Sequence, residues 1–506
     1  MTSSPIPPAQ SVGRAGIVLC VVVLFLSACS SEPPADEAET TEPQLNVILI
    51  VADDLGYGDL CAYGCDGGLT PNLDALASGG ARFNRAYVAA PVCSPSRAAL
   101  LTGRYQHRFG HEFTVGPLAR AEREGLGTPT SEVLLPRLLQ QNGFATSMVG
   151  KWHLGSKQEF LPQSRGFDEY FGFLHGANLY VDTIDPPGIH FIDVDPSPPR
   201  SRRRPGSDAI YRGREVVDEP EYLTDAFTRE AVDFLRRQSD EPFFLYVAYN
   251  APHTPLQVTD RYYDRFPHIE DEAKRIFAAM VNGLDEGVGR IVDTLRELKI
   301  EERTLVVFLS DNGCATYTGA CSNGPYQGGK LTHFEGGTRV PFILHWPGVI
   351  DPGTVVDATV SSMDLLPTIL EAVGVPVPQE RPLDGSSLLP LLRGEVERLP
   401  RDGLFWRNGI NWGALDEDRW KLVHISDEHR FVYDLENDPG ETRDLSTEQP
   451  ELLARMEKLF EEWSAGMAPP LWGDPRQVYI SLEDLFAGRR LTTTFQPEEG
   501  LIELNL

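Results

Sequence analysis

The sequence predicts an α/β protein: a large mixed, mostly parallel sheet sandwiched by helices, with a smaller C-terminal α+β subdomain on a short antiparallel sheet. Three observations carry this. Apolar, β-branched runs alternate with amphipathic helical stretches from residue 45 to about 375, the rhythm of strand–helix–strand units. Residues able to do chemistry recur where those runs end, and open sheets bind ligands beyond the carboxyl ends of their strands. Past about Pro376 the rhythm gives way to short strands, turns and a last helix.

The elements follow in order. The apolar run "GIVLCVVVLFLSAC" is too short to span a bilayer comfortably and has signal-peptide proportions. Its end, Leu26 to Cys29, resembles the lipobox of bacterial lipoproteins. That resemblance implies cleavage before Cys29, lipid on its thiol and, with Ser30 next, an outer-membrane or cell-surface location facing periplasm or exterior. An ordinary signal peptide cleaved nearby would also export the chain. The acidic, proline-containing "SSEPPADEAETTEPQ" cannot build a core and reads as a tether. "LNVILIVA" is continuously apolar, as a strand buried on both faces should be. "EVLLPRLLQQNGF" predicts a helix closed by Asn-Gly, with "ATSMVG" the strand after it. The helices "TDAFTREAVDFLRRQ" and "KRIFAAMVNGLDEGVGRIVDTLREL" precede the strands "PFFLYVAYN" and "RTLVVFLS". Between about Asp185 and Tyr222, prolines and "PRSRRRPG" predict a long loop over one end of the sheet. Its Arg200, Arg202, Arg203 and Arg204 read first as solvated surface and second as contacts for a polyanion. "DRWKLVHI" and "HRFVYDLENDPGE" predict antiparallel strands, and "QPELLARMEKLFEEWSAG" a helix lying on them.

A net charge of −29 argues against nucleic-acid binding, which needs a basic face. Any anionic substrate must therefore be held by local cations. Of seven cysteines, Cys20 and Cys29 belong to the export segment and Cys93 to a motif described below. Cys61, Cys65, Cys314 and Cys321 remain, an even number in an exported chain. Pairing near neighbours is the simplest arrangement, and four free thiols is the other.

The chemistry gathers at strand ends. "ADDLGYGD" puts Asp53 and Asp54 at the end of the first strand, and "FLSDNG" puts Asp311 and Asn312 at the end of another. Either pair alone could be turn chemistry. Three carboxylates converging there would repel one another unless a cation lay between them. All these candidate ligands are oxygens, so Ca²⁺ or Mg²⁺ fits better than zinc. "GKWHLG" delivers Lys151 and His153, "APHTP" delivers His253, and the glycine-rich "GPYQGGKLTHFEGG" delivers Lys330. Together they suit a small tetrahedral anion. In "VCSPSRAALLTGRY", Ser94 reads as an N-cap and Pro95 as the first helical residue, so Cys93 sits at a helix N-terminus. That end offers unpaired N–H groups to an anion, and Arg97 leans back toward position 93.

These motifs together resemble the type I sulfatases. "CSPSRAALLTGR" is similar to the Cys-x-Pro-x-Arg signature whose cysteine is oxidised to formylglycine by a separate maturation enzyme. "DDLGYGD", "GKWHLG", "APHTP", "SDNG", "GGKLTHFEGGTRVPF" and "YDLENDPGE" follow in the family's order over about Asn46 to Asp444. The resemblance implies an alkaline-phosphatase-like fold. The chain is thus expected to divide into a leader over 1–28, a tether over 29–44, a catalytic domain over 45–375 and a C-terminal subdomain and tail over 376–506. The resemblance implies that Asp53, Asp54, Asp311 and Asn312 bind Ca²⁺, ahead of Mg²⁺, with converted Cys93 completing the shell. One hydroxyl of its geminal diol would attack sulfur and form a covalent sulfo-enzyme. Arg97 and Lys151 would hold the diol, and Lys330 and His253 the sulfate, with His253 the acid for the leaving alcohol. His153 would take a proton from the second hydroxyl, expelling sulfate. Export and lipid anchoring point to a sulfated carbohydrate as substrate. A phosphate mono- or diesterase of the same superfamily, or a non-catalytic glycan-binding lipoprotein, are the alternatives.

Overall fold

The structure, a computed structural model, describes residues 45–473 apart from 66–68, 117, 185, 194–203, 205–208, 417–418 and 427–428, and three two-residue strands beyond. The segments expected to be leader and tether, with Cys29 as the expected lipid site, and Arg200, Arg202 and Arg203 lie outside the described residues.

The predicted first strand, β1 (Asn46–Ala52), is buried at all seven positions and lies at the centre of a ten-stranded sheet. The other strands are β2 (Ala81–Phe83), β3 (Ala145–Lys151), β4 (Glu169–Phe173), β5 (Ile210–Arg212), β6 (Glu215–Val217), β7 (Phe243–Ala248), β8 (Thr304–Ser310), β9 (Phe342–His345) and β10 (Thr354–Val356). Their order is β10-β2-β9-β8-β1-β7-β3-β4-β5-β6. The central run from β8 to β4 is parallel, and β9 and β5 flank it antiparallel.

Alternate residues of β1 feed two cores, because successive side chains of a strand point to opposite faces. Ile48, Ile50 and Ala52 meet α1 (Pro71–Ser78), α4 (Leu223–Gln238) and α5 (Glu272–Glu297). Val47, Leu49 and Val51 meet α2 (Cys93–Thr102), α3 (Leu135–Gln141) and α6 (Leu365–Ala372). The result is helix–sheet–helix, as the continuous apolar character of β1 requires.

The stretch from 185 to 222 differs from the long loop predicted. Two of its segments, β5 and β6, extend the sheet edge, and Ile189–Ile192 pairs antiparallel with Leu256–Thr259. Arg204 is half-buried rather than free on the surface. Its guanidinium donates to the carbonyls of Leu179, Tyr180 and Glu219, so it ties the insertion down.

The C-terminal sheet is a meander of β11 (Gly403–Asn408), β12 (Asn411–Asp416), β13 (Trp420–Ile425) and β14 (His429–Asp434). Trp406, Leu415, Val423 and Tyr433 on one face pack on Tyr87, Leu331 and Phe334. Phe405, Ala414, Leu422 and Val432 on the other pack on Met456 and Phe460 of α7 (Pro450–Ser464). Two disulfides, Cys61–Cys65 and Cys314–Cys321, match the near-neighbour pairing, and Cys93 is free.

Candidate active site

Four adjacent strands, β8-β1-β7-β3, end at one edge and deliver most of the expected residues. Ala52 is in register with Ser310, so Asp53 and Asp54 leave β1 beside Asp311 and Asn312. Lys151 closes β3, and His153 and His253 lie just beyond β3 and β7. Asp54 and His153 are left-handed, with φ of 64° and 62°. This conformation is uncommon outside glycine, although Asp and His tolerate it better than most. At Asp54 it breaks the strand alternation, so that two consecutive carboxylates serve one site. Gly176 lies against the His153 ring, and a Cβ there would come within 2.8 Å of it.

The helix at Cys93 begins two residues earlier than predicted. Val92 is the N-cap residue, Cys93 starts the first turn, and Ser94 makes no capping bond. Cys93 is 3% exposed, and its Sγ lies 3.3 Å from Asp53 Oδ1 and 3.9 Å from Asp54 Oδ1. Arg97 is fully buried on the same helix. Its Nε donates to Asp311 Oδ2 at 2.8 Å and its Nη1 to the Lys151 carbonyl at 3.1 Å, so it is anchored by the carboxylates around position 93. Lys151 Nζ meets Asp53 Oδ2 at 2.5 Å, and Lys330 Nζ meets Asp54 Oδ2 at 2.8 Å. Lys330 also donates to His253 Nε2 at 2.9 Å. The other His253 nitrogen, Nδ1, lies 2.6 Å from the Thr254 carbonyl. A carbonyl only accepts, so Nδ1 carries the proton and Nε2 is the nitrogen turned to the site. By the same logic His153 donates Nε2–H to the Val115 carbonyl at 3.2 Å, and its buried Nδ1, which has no protein partner, keeps the lone pair.

The electrostatics explain why these groups tolerate one another. Burial pushes the Asp53 carboxyl up to about 7, with Asp311 and Asp54 adding to the rise against Lys151 and Arg97. Asp311 is also pushed up by burial, but Arg97, Lys151 and Lys330 outweigh that and hold it below the usual range. Burial, then Lys151 and Arg97, hold His153 well below its ordinary value, so its imidazole is neutral. Burial and the carboxylates of Asp311 and Asp53 push the Cys93 thiol well up, which makes it a poor thiolate.

The residues fit a hard cation. The side-chain oxygen of Asn312, Oδ1, is buried without a protein partner, while its side-chain amide donates to Asp54 Oδ1 at 2.7 Å. Ligand atoms of Asp53, Asp54, Cys93 and His253 fall within 4.8 Å of one another. A cation would offset the burial, and the lesser repulsion from Asp311 and Asp54, that together raise Asp53. Several supporting groups went unseen in the sequence. Ser310 Oγ accepts the Leu55 amide at 3.0 Å and donates to the Asn312 carbonyl at 2.8 Å, shaping both ligand turns. His111 and Thr128 reach the site through Ser94. No strand end or motif marks them, only the polarity of side chains in otherwise unremarked loops.

An acidic, cation-ready cluster at the carboxyl edge of this sheet, with Cys93 at a helix start, defines the class: the chain belongs to the sulfatase family and is a sulfuric ester hydrolase with the alkaline-phosphatase-like fold. A sequence model described as Sulfatase matches residues 45–375, and one described as N-sulphoglucosamine sulphohydrolase, C-terminal, matches residues 329–465. More particularly, the N-acetylgalactosamine-6-sulfatase of Sus scrofa is 36% identical over 464 residues, 82% of this chain and 84% of that protein. The steryl-sulfatase of Homo sapiens is 32% identical, over 72% of this chain and 73% of its own. The crystal structure of Ps i-CgsB in complex with k-i-k-neocarrahexaose is similar with a TM-score of 0.76 at 35% identity, covering 85% of this chain and 95% of that one.

Proposed function

We propose that this sulfatase desulfates a carbohydrate through a formylglycine made from Cys93, with Ca²⁺, ahead of Mg²⁺, held by Asp53, Asp54, Asp311 and Asn312. The observation that carries the reading is the place of Cys93, buried 3.3 Å from Asp53 on the helix that also carries Arg97. Its thiol is a poor nucleophile there, and as a precursor the residue makes chemical sense. When formed, formylglycine supplies a hydrated aldehyde, one hydroxyl to attack the sulfate sulfur and a second through which sulfate is released. A bound Ca²⁺ supplies charge stabilisation for the oxygens of nucleophile and sulfate.

The chain's own residues divide the remaining work. Arg97 and Lys151 hold negative charge at position 93. Lys330 binds sulfate oxygens, and His253, as the imidazolium with a second proton on Nε2, gives that proton to the leaving alcohol. His153, neutral and with Nδ1 free of protein partners, accepts a proton from the hydroxyl that remains. A carbohydrate substrate is supported by the N-acetylgalactosamine-6-sulfatase relative and the neocarrahexaose-bound neighbour. The division into a leader over 1–28, a tether over 29–44, a catalytic domain over 45–375 and a C-terminal part over 376–506, with lipid on Cys29, belongs to the same reading. Loss of membrane association on Cys29→Ala tests the anchor.

The deciding experiment pairs mass spectrometry of the peptide containing position 93 with sulfate release. The panel is 6-sulfated N-acetylgalactosamine, sulfated neocarra-oligosaccharides, an aryl sulfate and an aryl phosphate. An aldehyde at position 93 with release from a sugar is the expected result. Sulfur retained at position 93 in active enzyme overturns the formylglycine assignment, and faster turnover of the phosphate overturns the ester class.

A further inference from the structure

Ser94 is the second residue of α2, and its Oγ makes no capping bond but is committed elsewhere. It lies 2.7 Å from the His153 carbonyl oxygen and 2.9 Å from His111 Nε2, and it accepts the Val115 amide at 3.3 Å. The carbonyl can only accept, so the single hydroxyl proton goes to His153 and Ser94 accepts from His111. That fixes the His111 tautomer: Nε2 carries the proton, and Nδ1 accepts from the Thr128 hydroxyl at 2.9 Å. The His111 ring is fully buried, edge-to-face with Trp472 at 5.0 Å. Burial, with Arg165 nearby, keeps it neutral, as a one-proton relay requires.

The chain Thr128–His111–Ser94–His153 closes on itself. The His153 ring donates to the Val115 carbonyl, and the Val115 amide donates to Ser94. One hydroxyl therefore holds both the left-handed backbone of His153 and the residue on which its ring rests. Ser94 is also bonded covalently to Cys93. The same atom thus sets where the side chain at position 93 starts and where His153 stands.

We propose that His111 is a positioning residue of the sulfatase reaction: through Ser94 it fixes the spacing and orientation between the side chain at position 93 and Nδ1 of His153. The inference rests on the sulfatase mechanism above. Its role is geometric, so its loss should lower kcat and leave substrate binding largely intact. A side chain that restores an N–H donor to Ser94 should restore the rate.

The test uses the full chain with His111→Ala, His111→Gln and Thr128→Val. Rates are normalised to the fraction of position 93 that mass spectrometry finds converted, with the substrate that wild-type enzyme hydrolyses fastest in the panel above. His111→Ala should lower kcat roughly 30- to 100-fold with KM within about 3-fold, the scale set by small misplacements of reacting groups. His111→Gln, which keeps an N–H donor, should recover to within about 5-fold of wild type. The inference is overturned if His111→Ala keeps kcat within about 3-fold, if alanine and glutamine lose equally, or if only KM changes. Should His111→Ala give no folded protein, Thr128→Val decides: a kcat fall of about 3-fold or more at unchanged KM supports the role, and an unchanged kcat overturns it. Converted wild-type enzyme that releases no sulfate from any panel member overturns the sulfatase mechanism instead, before any variant is compared.

Discussion

Two clusters of buried charge occupy this molecule and follow different rules. Where the C-terminal sheet meets the main body, Glu335 Oε1 accepts from Lys421 at 2.7 Å, and Oε2 accepts from Tyr87 at 2.8 Å and Arg339 at 3.1 Å. Lys421 also lies 4.5 Å from the Trp406 ring centroid. Burial pushes Glu335 up, but Lys421 and Arg339 outweigh it and hold the carboxyl below the usual range. In the active site three carboxylates also face three cations, yet Asp53 and Asp54 turn oxygens toward position 93, and Asp53 is pushed up to about 7. In the first cluster Glu335 finds its cations within the protein, and those contacts join two parts of the fold. The other keeps a repulsion in place for a ligand to relieve. Incomplete pairing alone does not mark function, since burial also pushes Glu441 beside Glu335 well up; in the active site it coincides with several oxygens turned toward one point.

Substitutions should separate the two. Cys93→Ala should cut sulfate release by about 10⁴-fold or more while the melting temperature stays within about 2 °C, since no partnered charge is lost. Retention of more than about 1% of activity in a chain verified by mass spectrometry would count against position 93 as nucleophile. His253→Ala should cost roughly 10²- to 10⁴-fold on a sugar sulfate and much less on an aryl sulfate, whose leaving group needs little protonation. Equal deficits on both substrates would remove His253 as the acid. Lys421→Met, in the first cluster, should cost about 3–5 kcal/mol of unfolding free energy, because it leaves Glu335 buried without its closest cation. Folded Lys421→Met enzyme should keep kcat within a few-fold; a collapse of kcat without loss of stability would show that the two clusters are not separate.

The smallest effect concerns pH. The Asp53 carboxyl has an ordinary value of 3.8 and titrates near 7 in the fold. A raised carboxyl favours the protonated form, so chelated protein loses stability from this group as pH rises from about 4 to 7. A cation needs the ionised form and competes with that proton. The rise in melting temperature on adding Ca²⁺ should therefore be larger at pH 8 than at pH 5.5, by a few degrees. Equal increments at both pH values would argue against Asp53 as a ligand.

Much of the site was legible because Asp53, Asp54, Asp311, Asn312, Lys151 and His253 follow closely on apolar runs, and the end of a run marks the edge of the sheet. The parallel core was legible for the same reason, since strands buried on both faces cannot hide their composition. Ser94 misled because a serine before proline is a sound local cap signal, and only tertiary contact with His111 and His153 redirects its hydroxyl. β5 and β6 are short edge strands with too little apolar pattern to register. Glu335 and Lys421 are 86 residues apart, and no local rule pairs them.

The amide of Glu335, at the start of the one-turn helix Glu335–Thr338, donates to Glu441, 106 residues downstream. The loop carrying Lys330 runs directly into that helix. A ribosome thus delivers every residue of the active site long before it delivers the side chain that secures one wall of it. A nascent chain stopped near residue 400 would carry every active-site residue and still lack Lys421, Glu441 and the motif YDLENDPGE. The enzyme is finished late in its own synthesis, and shortened versions should be judged by whether they reach that residue.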